Sequence, residues 1–176
     1  MDYSNLKKKV EAFNVVLQNT KDYRVAWDDH LKEMIKSTLE EIIKEAGIKG
    51  KVVVHDQFKA LESVALVLGS VESGISEKVG DGVYKVLIRM NGVLLFQQMF
   101  NGKISIWINY PYIEGIGDPK QPKMLEIVRP HELKEINILR YVETFIDELK
   151  EWEDYDDDLP PAPGIGFNHQ AASIRK

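Results

Sequence analysis

The sequence has no cysteine and no long apolar segment. The absence of cysteine in a chain of 176 residues excludes disulfide frameworks, thiolate nucleophiles and cysteine-ligated zinc. No stretch approaches the roughly 18 consecutive apolar residues of a membrane span, and Met1 is not followed by the apolar segment of a secretory signal. We therefore expect a cytoplasmic protein without a membrane partner.

The chain also has little net charge, and this charge is unevenly distributed. The formal net charge is −5. Residues 151–158 carry six acidic residues and no basic one, whereas residues 1–150 carry 22 acidic and 21 basic residues. A nearly neutral body is unfavourable for nucleic-acid binding, which depends on many contacts from Lys and Arg to phosphates. We therefore expect no nucleic-acid partner.

Composition divides the chain into one domain and a C-terminal segment. The chain is 44% hydrophobic and 29% charged, which is typical of a folded protein, and we expect a single domain over residues 1–155. Residues 156–176 begin with acids and continue with Pro and Gly, a composition typical of a flexible tail. Two apolar residues of this tail, Ile165 and Phe167, are candidates for docking onto another surface.

Three segments have the spacing of amphipathic helices. The first helix is predicted over 4–18, with an apolar stripe of residues three or four apart: Leu6, Val10, Phe13 and Leu17. A longer stripe predicts a second helix over 28–46, which Gly47 can end. A third helix is predicted over 131–152 from apolar residues at similar spacings.

Alternating hydrophobicity in residues 83–110 predicts a three-stranded antiparallel meander. The three strands are expected at 83–90, 93–100 and 103–110. They are separated by Asn91-Gly92 and Asn101-Gly102, and Asn-Gly is typical of two-residue type I′ hairpin turns. Because such turns fix the register, they also determine which side chains share a face of the sheet.

Further strands extend the predicted sheet to about residues 51–129. Residues 60–69 fit either a helix or a strand, and the nearby Gly69 favours the strand. Residues 124–129 lie between two prolines, which favours a strand at a sheet edge. The element order therefore predicts an α+β fold, in which two or three amphipathic helices pack on one face of a mainly antiparallel sheet.

The predicted register leaves an aromatic row on the face away from the helices. Leu87, Phe96 and Trp107 would lie side by side on three strands, with Arg89 and Asn109 next to them. An aromatic centre with a polar and basic margin is typical of protein interfaces. The row could instead be covered by the first helix or the tail, or could line a ligand pocket.

No motif in the sequence indicates catalysis or metal binding. The serine-elbow pattern and the phosphate-binding loop are both absent. Asp154, Asp156 and Asp158 match the first ligands of an EF-hand loop, but Leu159 and Ile165 replace its required glycine and glutamate. We expect no metal and no cofactor.

These observations favour a non-enzymatic interaction or accessory protein. Its partner would be another protein or a second copy of the chain, as in a homodimer, bound through the aromatic row or the tail. The alternative is a small-molecule-binding protein or an enzyme with a pocket around Arg89, Phe96 and Trp107. In that case Arg89 would hold an anionic group of the ligand.

Overall fold

The computed structural model describes residues 2–151 and has an α+β fold, as predicted. The helices are α1 (Ser4–Ala26), α2 (Lys32–Ala46) and α3 (Glu135–Lys150). The strands are β1 (Lys51–His55), β2 (Ser63–Val67), β3 (Ser70–Gly80), β4 (Val83–Met90), β5 (Val93–Gln98), β6 (Ile104–Asn109), β7 (Tyr112–Ile113) and β8 (Lys123–Val128). The predicted tail, with Ile165 and Phe167, lies outside the described residues.

The strands form two antiparallel sheets. The larger sheet has the order β1-β2-β5-β6-β8, and the smaller one has the order β3-β4-β7. Residues 60–69 contain strand β2, as favoured above, and β8 lies at an edge of the larger sheet, as predicted. The larger sheet carries the core of the molecule on one face.

One long, kinked ribbon joins the two sheets. The β2–β5 pairing and the first pairs of β3–β4 follow the same register, so that Val67 faces Val93 and Ser70 faces Met90. At the kink, Leu68 N donates to the Gly92 oxygen (3.2 Å). Beyond the kink, β3 and β4 project as an arm whose residues are mostly exposed.

The predicted three-stranded meander is wrong because β4 pairs with β3 and not with β5. The turn of this hairpin is Asp81-Gly82, while Asn91-Gly92 lies at the kink of the ribbon. A type I′ turn needs positive φ at both central residues. Only Gly92 has a positive φ there (+105°), so Asn91-Gly92 does not make this turn.

The Asn101-Gly102 hairpin is present, but its register differs from the prediction by one residue. The connection between β5 and β6 comprises residues 99–103 instead of two residues. Phe96 therefore faces Ile106, and Leu95 faces Trp107. A one-residue shift turns every side chain of a strand to the other face, so Phe96 enters the core and Leu95 leaves it.

The core lies between α2, α3 and one face of the larger sheet, which we call the helix face. Its strand residues are fully or almost fully buried: Val64, Leu66, Leu94, Phe96, Ile104, Ile106, Ile108 and Val128. Helix residues that pack against them include Trp27, Leu39 and Phe145. A polar contact stabilises this packing, since the buried Glu62 accepts hydrogen bonds from Trp27 Nε1 (3.1 Å) and Lys32 Nζ (2.7 Å).

The first helix is longer than predicted and continues without a break into the second. No Gly or Pro occurs in residues 19–27, so nothing ends the first helix at residue 18. It continues to Ala26 and through a π-helical turn (Trp27–Leu31) into α2. Gly47, with φ +66°, ends α2 as expected. The third helix begins at Glu135 instead of 131, after a short 3₁₀ turn (Pro130–Glu132).

Candidate interaction surface

The second face of the larger sheet, which we call the open face, has a continuous apolar row. The row has one member on each of the five strands, and each member is paired in register with the next: Val53, Ala65, Leu95, Trp107 and Met124. Cross-strand neighbours on one face are within contact distance of each other. The row therefore crosses the whole width of the sheet.

The helices do not bury this row. All buried helix side chains within residues 2–151 belong to the core cluster, whose strand residues lie on the helix face. On the open face, Val53, Leu95 and Trp107 are half-buried and Met124 is 47% exposed, whereas the small Ala65 is covered by its neighbours and is 1% exposed. Ile127, at the end of β8, is 41% exposed. Such a contiguous apolar patch on a folded domain is typical of an interaction site.

The two rows beside the apolar row carry few charges. One contains Ser63, Gln97 and Ser105, and the other contains Val67, Val93 and Asn109. Within the strands, the register places two ionisable residues on this face, Lys51 and His55, both on the edge strand β1. Lys103, just before β6, continues the register and lies at the end of the face. A centre without charge matches the composition of protein interfaces.

The structure separates the residues of the predicted aromatic row. Phe96 is fully buried on the helix face, where its ring centre is 6.0 Å from that of Tyr141. Leu87 is buried in the β3–β4 arm, and Arg89, also in β4, donates from Nε to Asn91 Oδ1 (3.1 Å). Trp107 alone of the three row members is on the open face.

The fifth predicted site residue, Asn109, is on the open face and also lines a cavity at its end. The cavity has a volume of about 450 Å³ and is mainly apolar. Val93, another open-face residue, lines it together with Tyr110, Tyr112 and Lys120. The cavity is therefore continuous with the open face. Neither Arg89 nor Phe96 lines it.

The chemistry of this cavity is that of an aromatic recess. Burial and a hydrogen bond from its hydroxyl to Glu148 Oε2 (2.6 Å) raise the pKa of Tyr110 well above its usual value, which keeps the phenol neutral. Hydrogen bonds from Lys123 and Tyr110 lower the pKa of Glu148, which stays ionised. Lys120 Nζ lies 4.0 Å from the centre of the Tyr110 ring, a cation–π contact. Tyr110 is only 4% exposed, so these contacts hold its ring in place within the core.

Residues 2–151 contain neither a metal-binding cluster nor a membrane-spanning helix. In the part of the chain from Asp2 to Glu151, no three His, Asp or Glu residues lie close enough together to hold a metal ion. No helix in the same residues is long and apolar enough to cross a membrane. The acidic residues with partial resemblance to an EF-hand lie beyond the described part.

Sequence reasoning missed Val53, Ala65, Leu95 and Met124 as members of the site. Leu95 was placed on the core face because the predicted register was one residue away from the observed one. The period-two pattern of β5 contains apolar residues on both faces, so this pattern alone does not determine the core face.

Comparisons with family models, curated proteins and solved structures give no match for this chain.

Proposed function

We propose that this chain is a non-enzymatic interaction module that self-associates through its open face. The observation that carries the proposal is the apolar row from Val53 to Met124, which is continuous over five strands and not buried by helices. The proposed partner surface is the open face of a second copy. A cytoplasmic location stays a prediction from the sequence.

Two identical open faces can pack without an electrostatic penalty. Stacked sheets pack about 10 Å apart with interdigitating side chains. Since the ionisable residues of the face, Lys51, His55 and Lys103, lie at its edge or its end, the centre of such a contact would contain no charge to be desolvated. A two-fold arrangement closes the contact and yields a discrete dimer.

Sedimentation equilibrium with a Trp107→Lys variant tests this proposal. Trp107 is at the centre of the row, and a buried aromatic residue at an interface centre commonly contributes 2 kcal/mol or more to binding. We expect the dissociation constant to rise at least about thirtyfold. Met124→Lys, at the end of the row, should weaken association less.

The matched control is Val79→Lys in β3. Val79 is 55% exposed, so the substitution introduces the same charge at an exposed apolar residue of the β3–β4 arm, outside the open face. This variant should associate like the wild type. A monomeric wild-type chain, or equal effects of Trp107→Lys and Val79→Lys, would overturn the proposal.

A further inference from the structure

Helix α1 has an apolar stripe that is unpartnered within the described chain. None of its residues is buried. The stripe residues are between 47% and 59% exposed: Leu6, Val10, Phe13 and Leu17. These residues recur at intervals of four, three and four, so they form one side of the helix. An exposed stripe of this size is typical of a helix that packs against another protein surface.

The attachment of α1 keeps this stripe away from its own domain. α1 continues through the π-helical turn into α2 without a loop. Its last turns rest on the β5–β6 connection, where Arg24 Nη2 donates to the Phe100 oxygen (2.8 Å). The stripe can be covered only by a segment that comes to it, because the helix has no hinge about which to fold back.

The charges of α1 favour an acidic partner surface. The helix carries five basic and two acidic residues. The charged positions that flank the stripe, by helical spacing, are Lys7, Lys9 and Lys21. Pairing of two α1 helices would place two segments of the same net charge side by side, since each carries five basic and two acidic residues. An acidic surface is therefore the more favourable partner for α1.

An apolar groove with acidic residues lies between α2 and α3. Its volume is about 630 Å³. Apolar side chains from both helices line it, among them Ile42, Leu139 and Ile146. The two charged residues of its lining, Glu143 and Asp147, are both acidic and exposed. Asp147 accepts a hydrogen bond from Lys150 Nζ (2.7 Å) on the same helix, and because an exposed ion pair of this kind is weak, a lysine of α1 can compete for Asp147. The groove thus has the chemistry that complements α1: apolar where α1 is apolar, and acidic where α1 is basic.

We propose that α1 of one chain docks in the α2–α3 groove of a second copy. The apolar stripe enters the groove, and Lys7 and Lys9 lie beside Glu143 and Asp147. This is the helix-in-groove mode of recognition, in which residues spaced by three and four serve as anchors. The contact uses surfaces different from the open face, so the two contacts together assemble more than two chains.

A pair of stripe and control variants tests the role of α1. Leu6→Ser combined with Phe13→Ser removes two anchors, and we expect association through this contact to weaken at least about tenfold. The control is Val15→Ser, because Val15 is 58% exposed but lies away from the stripe. Since no residue of α1 is buried, all these chains should keep the wild-type melting temperature.

Exchanging the charges of α1 and of the groove tests whether the groove is the docking site. Lys7→Glu with Lys9→Glu should weaken association in sedimentation equilibrium, as should Glu143→Lys with Asp147→Lys. All four substitutions in one chain should restore it, because each pair then again has opposite charges. Lys8→Glu, on the other side of α1, is the charge control.

The same measurements on a Trp107→Lys background separate this contact from the open-face contact. We expect the α1 and groove variants to weaken association both in the otherwise wild-type chain and in the chain that carries Trp107→Lys. A four-substitution chain as weak as its two parents would overturn the proposal. So would association that depends on the stripe but tightens with Lys7→Glu and Lys9→Glu, because that result would indicate pairing of two α1 helices.

Discussion

Both faces of the larger sheet have apolar side chains at their centre, but these side chains have different surroundings. Leu94 on the helix face is fully buried, whereas its neighbour Leu95 on the open face is half-buried. Both belong to β5, and the pleat alone sends them to opposite sides. The difference shows that an apolar residue in a strand can serve either folding or association, depending on which face the helices cover.

Replacing each leucine in turn gives the largest effect and tests the comparison most simply. Leu94→Ala leaves a cavity in the core and should lower the free energy of unfolding by about 2–5 kcal/mol. Leu95→Ala removes a half-buried side chain and should lower it by at most about 1.5 kcal/mol. Urea unfolding at a protein concentration below that of self-association measures both. Equal losses of unfolding free energy for the two variants would show that Leu95 is buried as deeply as Leu94, and would contradict an uncovered open face.

A polar contact of the helix face gives the next effect, which depends on pH. The hydrogen bond from Lys32, together with that from Trp27, lowers the pKa of Glu62 below its usual value. A lowered pKa in the folded state contributes stability above the pKa of the unfolded chain, and this stability is lost as the pH falls through the folded value. Glu62→Gln should cost about 1–3 kcal/mol at pH 7.

The control for this prediction is the same variant in acid. At about pH 3, below the usual pKa of a Glu carboxyl, Glu62 is protonated in the unfolded chain, so the difference between wild type and Glu62→Gln should shrink. Unfolding in urea at both pH values measures the difference. A difference that is the same at both pH values would contradict the assigned role of the carboxylate.

Gly102 packs against α1, and its substitution gives an effect of similar size. Its φ is +77°, and an added Cβ would lie 2.7 Å from the Cβ of Tyr23 in α1. Gly102→Ala should therefore lower the free energy of unfolding by about 1–3 kcal/mol, through backbone strain and displacement of α1. Gly82→Ala is the control, since Gly82 has a similar φ but no neighbour within 4 Å. Equal losses of unfolding free energy for the two variants would show that backbone strain explains the whole effect and that the contact with α1 contributes nothing.

The fold class and several elements could be predicted from local signals. The stripe of α2 and its end at Gly47 follow from helical spacing and from the conformation that glycine adopts. The edge position of β8 follows from its flanking prolines. Each of these features depends on residues close in sequence, which is why the sequence contains it.

Strand pairing could not be predicted because it depends on distant residues. Asn91-Gly92 and Asp81-Gly82 are both typical turn signals, yet only Asp81-Gly82 makes a hairpin turn. β5 pairs with β2 along one edge and with β6 along the other, so neither edge is available to β4. Because the register between β5 and β6 differs by one residue from the predicted one, Trp107 lies on the open face but Phe96 lies in the core.

Cross-linking through the open face tests the central claim most directly, and the absence of cysteine makes it specific. Leu95→Cys introduces a single thiol beside Trp107, and Ile136→Cys introduces one on α3. With a short bis-maleimide, we predict a covalent dimer for Leu95→Cys, its loss when Trp107→Lys is added, and none for Ile136→Cys. Equal cross-linking of the two single-cysteine chains, or none for Leu95→Cys, would contradict the account.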